Sequence, residues 1–166
     1  MTDTEETLDD MVKTKTVKDS QAVITQLMQP TSANYRGTVH GGEILKLVDT
    51  VAYVCAARHS NQYCVTASFD RVDFHHPIYI GELVTLKGSV NYVGKTSMEV
   101  GVRVEAEDIR TGKIRHTNTC YVTMVAVDEK GKPVPVPKLL PETPDEKRRH
   151  AEGETRRNDR LKRLTP

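Results

Sequence analysis

Between Glu43 and Arg58, apolar residues stand at 44, 45, 47, 48, 51, 52 and 54 to 57. They cover most of a helix's circumference rather than one stripe, and a helix apolar nearly all round is buried on several sides. In a chain of 166 residues the wrapping expected is a sheet that curls around one central helix. Asp49 stands in the middle of this run, where an unpaired carboxylate is costly. A plainer reading also exists: Lys46, Asp49 and Tyr53 form a polar stripe at helical spacing, and an Asp–Lys pair at i, i+3 is a common surface device. The neighbours Leu47, Val48, Val51 and Ala52 leave little helix to face water, which favours a functional role for the acid.

The flanking segments read as strands. Ala22 to Met28 is strand-like and is stopped by Pro30. From Tyr63 to Phe74, Val65, Ala67 and Phe69 alternate with polar residues, and a change of phase at Asp70-Arg71 suggests a bulge or a change of face. Val84, Leu86, Val90 and Tyr92 mark a further strand that turns at Gly94-Lys95. Met98 to Ala106 alternates strictly, Thr111-Gly112 reads as a hairpin tip, and Arg115 to Val127 is rich in threonine and β-branched residues. The order is strand, long helix, four strands. Pro133, Pro135 and Pro137 then break the sheet.

The expected organisation is an acidic, disordered lead-in over 1–15, one domain over 16–140, and a charged helix or tail over 141–166. Residues 145–163 carry eight basic and five acidic side chains, which reads as a solvated helix or frayed tail; the sharper reading is that its positive excess helps attract a phosphorylated ligand. Lys+Arg 24 against Asp+Glu 23 gives a net charge of +1, which argues against a dedicated nucleic-acid binder. No run approaches the roughly 18 apolar residues of a membrane span, and the N-terminus lacks the basic and apolar regions of a signal peptide. Cys55, Cys64 and Cys120 are scattered, with no C-x-x-C spacing. They read as buried free thiols in a reducing cytoplasm.

His40-Gly41-Gly42 opens the central helix. A helix start presents free N–H groups and a partial positive charge, and two glycines let a ligand approach that backbone, so the corner can polarise a carbonyl. On its own it is equally a tightly packed helix start. Seven residues of helix, however, span about 10 Å, so a carbonyl held at Gly42 cannot also lie against Asp49 of the same helix. If both act on one substrate, Asp49 comes from a second copy. An antiparallel pair of these helices across a two-fold axis would supply it, and the spacing therefore predicts a homodimer with shared sites. Adjacent His75 and His76 would face opposite ways on a strand, one packed and one solvated, and make a poor metal pair.

Asn34-x-x-Gly37-x-x-His40-Gly41-Gly42, then Leu45-Lys46-Leu47-Val48-Asp49 and Ala56-Ala57-Arg58-His59, resembles the hotdog-fold acyl-CoA thioesterases, in particular the bacterial acyl-CoA hydrolases related to YciA and to animal brain acyl-CoA hydrolase. Val65-Thr66-Ala67-Ser68, Val72-Asp73-Phe74, Gly94 to Val100, and Val134 to Pro137 through Pro141-Glu142-Thr143 extend the likeness over about 20–150. The resemblance implies an α+β hotdog fold, an antiparallel sheet around one long helix that dimerises into a shared sheet, with trimers of dimers (hexamers) in the family. It implies hydrolysis of fatty acyl-CoA to free acid and CoA in the cytoplasm, with no metal and no cofactor beyond the CoA of the substrate. It also implies an active site formed by Asn34 and Asp49 across the dimer interface.

On that reading Gly42, with Gly41, polarises the thioester carbonyl and Asp49 activates water or, as the second choice, attacks directly. Asn34 orients water or carbonyl. His40, Arg71 and the turn Gly94-Lys95-Thr96-Ser97 are the expected further substrate contacts, although that turn is equally an ordinary hairpin and Arg71 a surface ion-pair partner. Where the family's helix carries Met-Asp-Glu, this chain has Val48-Asp49-Thr50. Two other readings compete: a hydro-lyase on acyl thioesters, which wants a histidine that His40 does not place well, and a non-catalytic acyl-CoA sensor, against which Asn34 and Asp49 argue.

Overall fold

The computed structural model describes residues 14–164. Strands β1 (Thr14–Thr16) and β2 (Ala22–Leu27) and a short 3-10 turn (Pro30–Ser32) precede the 20-residue helix α1 (Gly41–Ser60). Strands β3 (Tyr63–Phe69), β4 (Leu83–Val93), β5 (Ser97–Asp108), β6 (Lys113–Val127) and β7 (Lys138–Leu140) follow, then helix α2 (Pro144–Leu164). Five strands form one sheet in the order β2-β4-β5-β6-β3, each pair antiparallel. β1 and β7 pair in parallel beside it. Thr14 and Lys15 thus belong to a strand and not to the lead-in expected over 1–15; the rest of that segment lies outside the described residues.

The helix lies in the curl of the sheet and touches all five of its strands. Val48, Val51, Ala52, Cys55 and Ala56 are fully buried against Val84, Leu86, Val90, Val100, Val102, Cys120 and Val122. At ~25 cal/mol per Å² of apolar surface, each of the valines and Leu86 contributes roughly 1.5–3 kcal/mol. Gly88 sets the closest approach of sheet to helix, because a Cβ there would run into Val51 and Cys55. Burial raises the Cys55 thiol to about 11, and all three cysteines are buried and free.

The helix is not enclosed all round. Lys46, Thr50 and Tyr53 remain exposed along one side and Asp49 is half-buried. Its C-terminal end is tied down by Asn61 in the left-handed region (φ 55°) and by the Lys15 ammonium, which donates to the Arg58 carbonyl. His59, fully buried, donates from Nε2 to the Pro137 carbonyl at 2.8 Å and so fastens the proline-rich link. Burial holds its imidazole below the usual histidine range.

Two expectations about β3 and its sequel need correction. The register irregularity lies at Thr66/Ser68, earlier than Asp70-Arg71, and the strand ends at Phe69. Phe74 to Pro77 belong to a loop, because Pro77 lacks a ladder donor. His75 and His76 are accordingly both exposed.

On β6, Cys120, Val122 and Met124 face α1, so alternation turns Tyr121 and Thr123 to the outer face. Helix α2 covers that outer face and is no frayed tail. Its start is a capping box: Glu146 Oε2 accepts from the Glu142 and Thr143 N–H groups, and Thr143 Oγ1 accepts from the Glu146 N–H. The Glu142 N–H, with that of Thr143, holds the Glu146 carboxyl below its ordinary range. Having almost no apolar face, α2 docks through charge and stacking. Arg156 donates to both carboxylate oxygens of buried Glu99, at 3.0 and 2.7 Å, with its guanidinium 3.6 Å from the Tyr121 ring centroid. Arg160 pairs with Asp70, and His150 packs on Tyr92.

Candidate functional site

The loop before α1 is shaped by Asn34. Its Oδ1 accepts from the N–H groups of Arg36 and Thr38, and its Nδ2 donates to Thr38 Oγ1 at 2.9 Å. Asparagine suits a turn because its side chain bonds its own backbone two residues on, and Gly37 (φ 81°) completes the reversal. One Nδ2 hydrogen remains for a ligand. The loop delivers the chain to His40, whose backbone N–H donates to the Ser32 carbonyl.

His40 is the N-cap of α1, and its Nδ1 accepts the Gly42 N–H at 3.0 Å. The donor expected to polarise a carbonyl is therefore already occupied, by the exposed side chain next to it. The Gly41 N–H has no acceptor among the described residues. A carbonyl entering here meets Gly41 first and reaches Gly42 by displacing His40. The Phe74 ring lies over Gly41, 3.5 Å from where a Cβ would stand. Val39, Ile44, Phe74, Pro77 and Ile78 wall a cleft of about 330 Å³ beside this corner, with His75 and His76 at its rim.

Asp49 lies two turns further along, about 10 Å from Gly42, so the structure keeps the two apart within one chain. Lys46 is not its partner. Asp49 Oδ1 instead accepts from Thr66 Oγ1 at 2.5 Å, a short charge-assisted bond that reaches from helix to edge strand. Thr66 carried no assigned role at the level of sequence. The signal available was the hydroxyl within Val65-Thr66-Ala67-Ser68, a stretch that carries part of the family likeness. Around it the edge strand exposes Tyr63 (69%), Val65 (50%) and Phe69 (38%), and β3 has a sheet neighbour on one side only.

The other expected contacts lie elsewhere. Arg71 is 86% exposed and pairs with Asp73 in its own loop, the plainer of its two readings. The turn Gly94–Ser97 closes through the Gly94 N–H to the Ser97 carbonyl at the far end of β4 and β5. No group of three or more His, Cys, Asp or Glu able to hold a metal occurs among the described residues. No helix among them is long and apolar enough to cross a membrane.

A curled antiparallel sheet around a long helix, with a glycine pair at its start and a hydroxyl-held carboxylate two turns in, is the hotdog architecture that the family resemblance implies. Comparison with known proteins agrees. Residues 36–113 match the thioesterase superfamily. The chain is 49% identical over 144 residues to protein VdlD of Helicobacter pylori, covering 87% of this chain and 82% of that one. It is 40% identical over 151 residues to the uncharacterised acyl-CoA thioester hydrolase YkhA of Bacillus subtilis (91% and 88%). Among solved structures, an apo-hexameric acyl-CoA thioesterase superposes with a TM-score of 0.88 at 41% identity (92% and 97%). An acyl-CoA hydrolase from Staphylococcus aureus in complex with butyryl-CoA and CoA superposes at 0.85 and 32% identity (91% and 92%). The chain belongs to the acyl-CoA thioester hydrolases of the thioesterase superfamily. The Staphylococcus aureus enzyme has also been solved with an aspartate, an asparagine or a threonine replaced by alanine. Those three stand 15 and 17 positions apart in chain order, the spacing of Asn34, Asp49 and Thr66 here.

Proposed function

We propose that the protein hydrolyses fatty acyl-CoA to the free acid and CoA at sites shared between two antiparallel copies. The observation that carries this reading is the separation within one helix of a carbonyl-polarising corner at Gly41-Gly42 and a positioned carboxylate at Asp49. A two-fold pairing of α1 brings Asp49 of each copy to the corner of the other. The exposed apolar edge of β3 is the surface such a pairing would cover, and it would extend the sheet across the dimer. Further assembly into a hexamer has its support in the hexameric thioesterase described above.

In the site so formed, Asp49 takes a proton from water, held in place by Thr66. The resulting hydroxide attacks the thioester carbon, and the oxyanion is received by the Gly41 N–H and, once His40 swings off it, the Gly42 N–H. Collapse breaks the C–S bond, and the proton on Asp49 passes to the departing thiolate. The spare Nδ2 hydrogen of Asn34 orients water or carbonyl. The cleft walled by Phe74, Pro77 and Ile78 takes the acyl chain. This chemistry calls for no cofactor beyond the CoA of the substrate, and a reducing cytoplasm suits three free thiols.

The test is thiol release from a panel of acyl-CoAs, acetyl to palmitoyl, by the wild type and Asp49→Asn, with sedimentation to establish the oligomer. Turnover by the wild type and a loss of roughly 10²–10⁴-fold in the folded variant support the reading. Acyl-CoA binding without thiol release would establish a sensor instead. A fully active Asp49→Asn would refute the mechanism.

A further inference from the structure

From Asp70 to Ile78 the chain forms neither strand nor helix, yet Phe74, Pro77 and Ile78 of this segment wall the cleft beside Gly41. Such a segment takes its position from point contacts. Two of them are backbone contacts with the loop ahead of α1. The Val39 N–H donates to the Ile78 carbonyl at 2.8 Å, and Tyr79 forms an isolated antiparallel bridge with Thr38. The rest come from one arginine–glutamate pair.

Arg115, near the start of β6, forks onto Glu82, just ahead of β4: Nη1 donates to Oε1 at 2.6 Å and Nη2 to Oε2 at 3.0 Å. The pair reaches over the end of β5, since Ala106 stands between Val84 and Arg115 in the ladders. Both partners spend their remaining hydrogen bonds on the loop. Arg115 Nη2 also donates to the Pro77 carbonyl at 3.0 Å, and Glu82 Oε2 also accepts from the Tyr79 N–H at 2.9 Å. The guanidinium lies 5.8 Å from the Tyr79 ring centroid. The Glu82 side chain is 8% exposed and that of Arg115 24%. An ion pair this far out of water adds little net stability, because desolvation offsets the attraction. What a planar bidentate fork adds is a fixed geometry. Here it fixes Pro77 and Tyr79.

We infer that Glu82 and Arg115 are positioning residues for acyl-chain selection: they hold Pro77 and Tyr79 to β6 and so set the Phe74–Ile78 wall against the Gly41 corner. The inference rests on the acyl-CoA reading above, with the acyl chain in this cleft, and adds to it two residues that touch no substrate. Lysine at 115 keeps the charge opposite Glu82 but lacks the planar fork that joins both carboxylate oxygens to the Pro77 carbonyl. Glutamine at 82 keeps the shape and loses the charge that shortens these bonds.

The test measures kcat and KM across the acetyl-to-palmitoyl panel for the wild type, Glu82→Gln, Arg115→Lys and the double variant, with amide hydrogen exchange at Val39 and Tyr79. In each variant the ratio of kcat/KM between the best and the poorest acyl length should narrow about tenfold, chiefly through KM. The two losses should not multiply in the double variant, because the residues act as one unit. The Val39 and Tyr79 amides should exchange faster while those of β5 and β6 keep their protection. An equal fall at every length, which is what a general loosening of the fold gives, overturns the inference, and so does an unchanged profile. Phe74→Ala, which alters the wall directly, separates the two failures. A changed profile there beside unchanged ones in Glu82→Gln and Arg115→Lys refutes the clamp alone, whereas no change in any variant also takes the acyl chain out of the cleft. If the wild type hydrolyses no thioester, the acyl-CoA reading fails and the selection role with it, while faster exchange confined to Val39 and Tyr79 still shows the pair holding the loop.

Discussion

Removing the Thr66 hydroxyl isolates one bond whose consequence can be worked through. Thr66 Oγ1 donates to Asp49 Oδ1 at 2.5 Å, and hydrogen bonds to charged groups contribute about 1.5–3 kcal/mol. If that bond holds the carboxylate in its working orientation, its loss converts to a fall of roughly 10- to 150-fold in kcat. Thr66→Ala should show this fall in a thiol-release assay with KM nearly unchanged, because the hydroxyl acts through Asp49 and not on the substrate. Thr66→Ser, which keeps the donor, should retain most of the rate. The substitution leaves Tyr63, Val65 and Phe69 of the edge strand in place, so the melting temperature should move little. The decisive comparison is the double variant. If Thr66 works only through the carboxylate, Thr66→Ala on an Asp49→Asn background should cost almost nothing more. Multiplying losses, or a wild-type kcat in Thr66→Ala, would refute the positioning role.

Arg156→Ala strands buried Glu99 beneath α2, and breaking such a pair costs about 3–5 kcal/mol; chemical denaturation should register it, with α2 exchanging amide hydrogens faster. Acid should loosen the loop that leads into β4. Burial pushes the Glu82 carboxyl up, but the guanidinium of Arg115 and the Tyr79 N–H outweigh it, so its folded value lies below the ordinary range. A depressed folded value means stabilisation that is present above the unfolded value and lost as pH falls through the folded one; Glu82→Gln should flatten that part of a stability-versus-pH curve below about pH 4.5. Phe74→Ala should open the cleft beside Gly41 and shift the preferred acyl length upward in the CoA panel, whereas an unchanged profile would place the acyl chain elsewhere.

The sequence by itself determined that a sheet wraps one long helix, which the family resemblance turns into the hotdog architecture. A run apolar on most of a helix's circumference has to be wrapped, and the period-2 segments on either side supply a sheet to wrap it. Hairpin punctuation at Thr111-Gly112 and Gly94-Lys95 fixed the neighbours β4-β5-β6, since local turn chemistry needs only neighbouring residues, whereas the pairings of β2 with β4 and of β3 with β6 are long-range. The separation of Gly42 from Asp49 was also legible, because helix rise is a constant.

Tertiary structure decided the rest. That Asp49 turns to Thr66 and not to Lys46 depends on which strand the curl of the sheet brings beside the helix, and 17 positions of intervening chain do not encode it locally. His40 bonding the Gly42 N–H was hidden because a histidine before two glycines can equally point into solvent. The C-terminal helix reads as solvated from composition alone, as its residues are charged all round. Only the outer face of the sheet, where Glu99, Tyr121 and Asp70 meet the helix, shows that Arg156 and Arg160 are matched across to it.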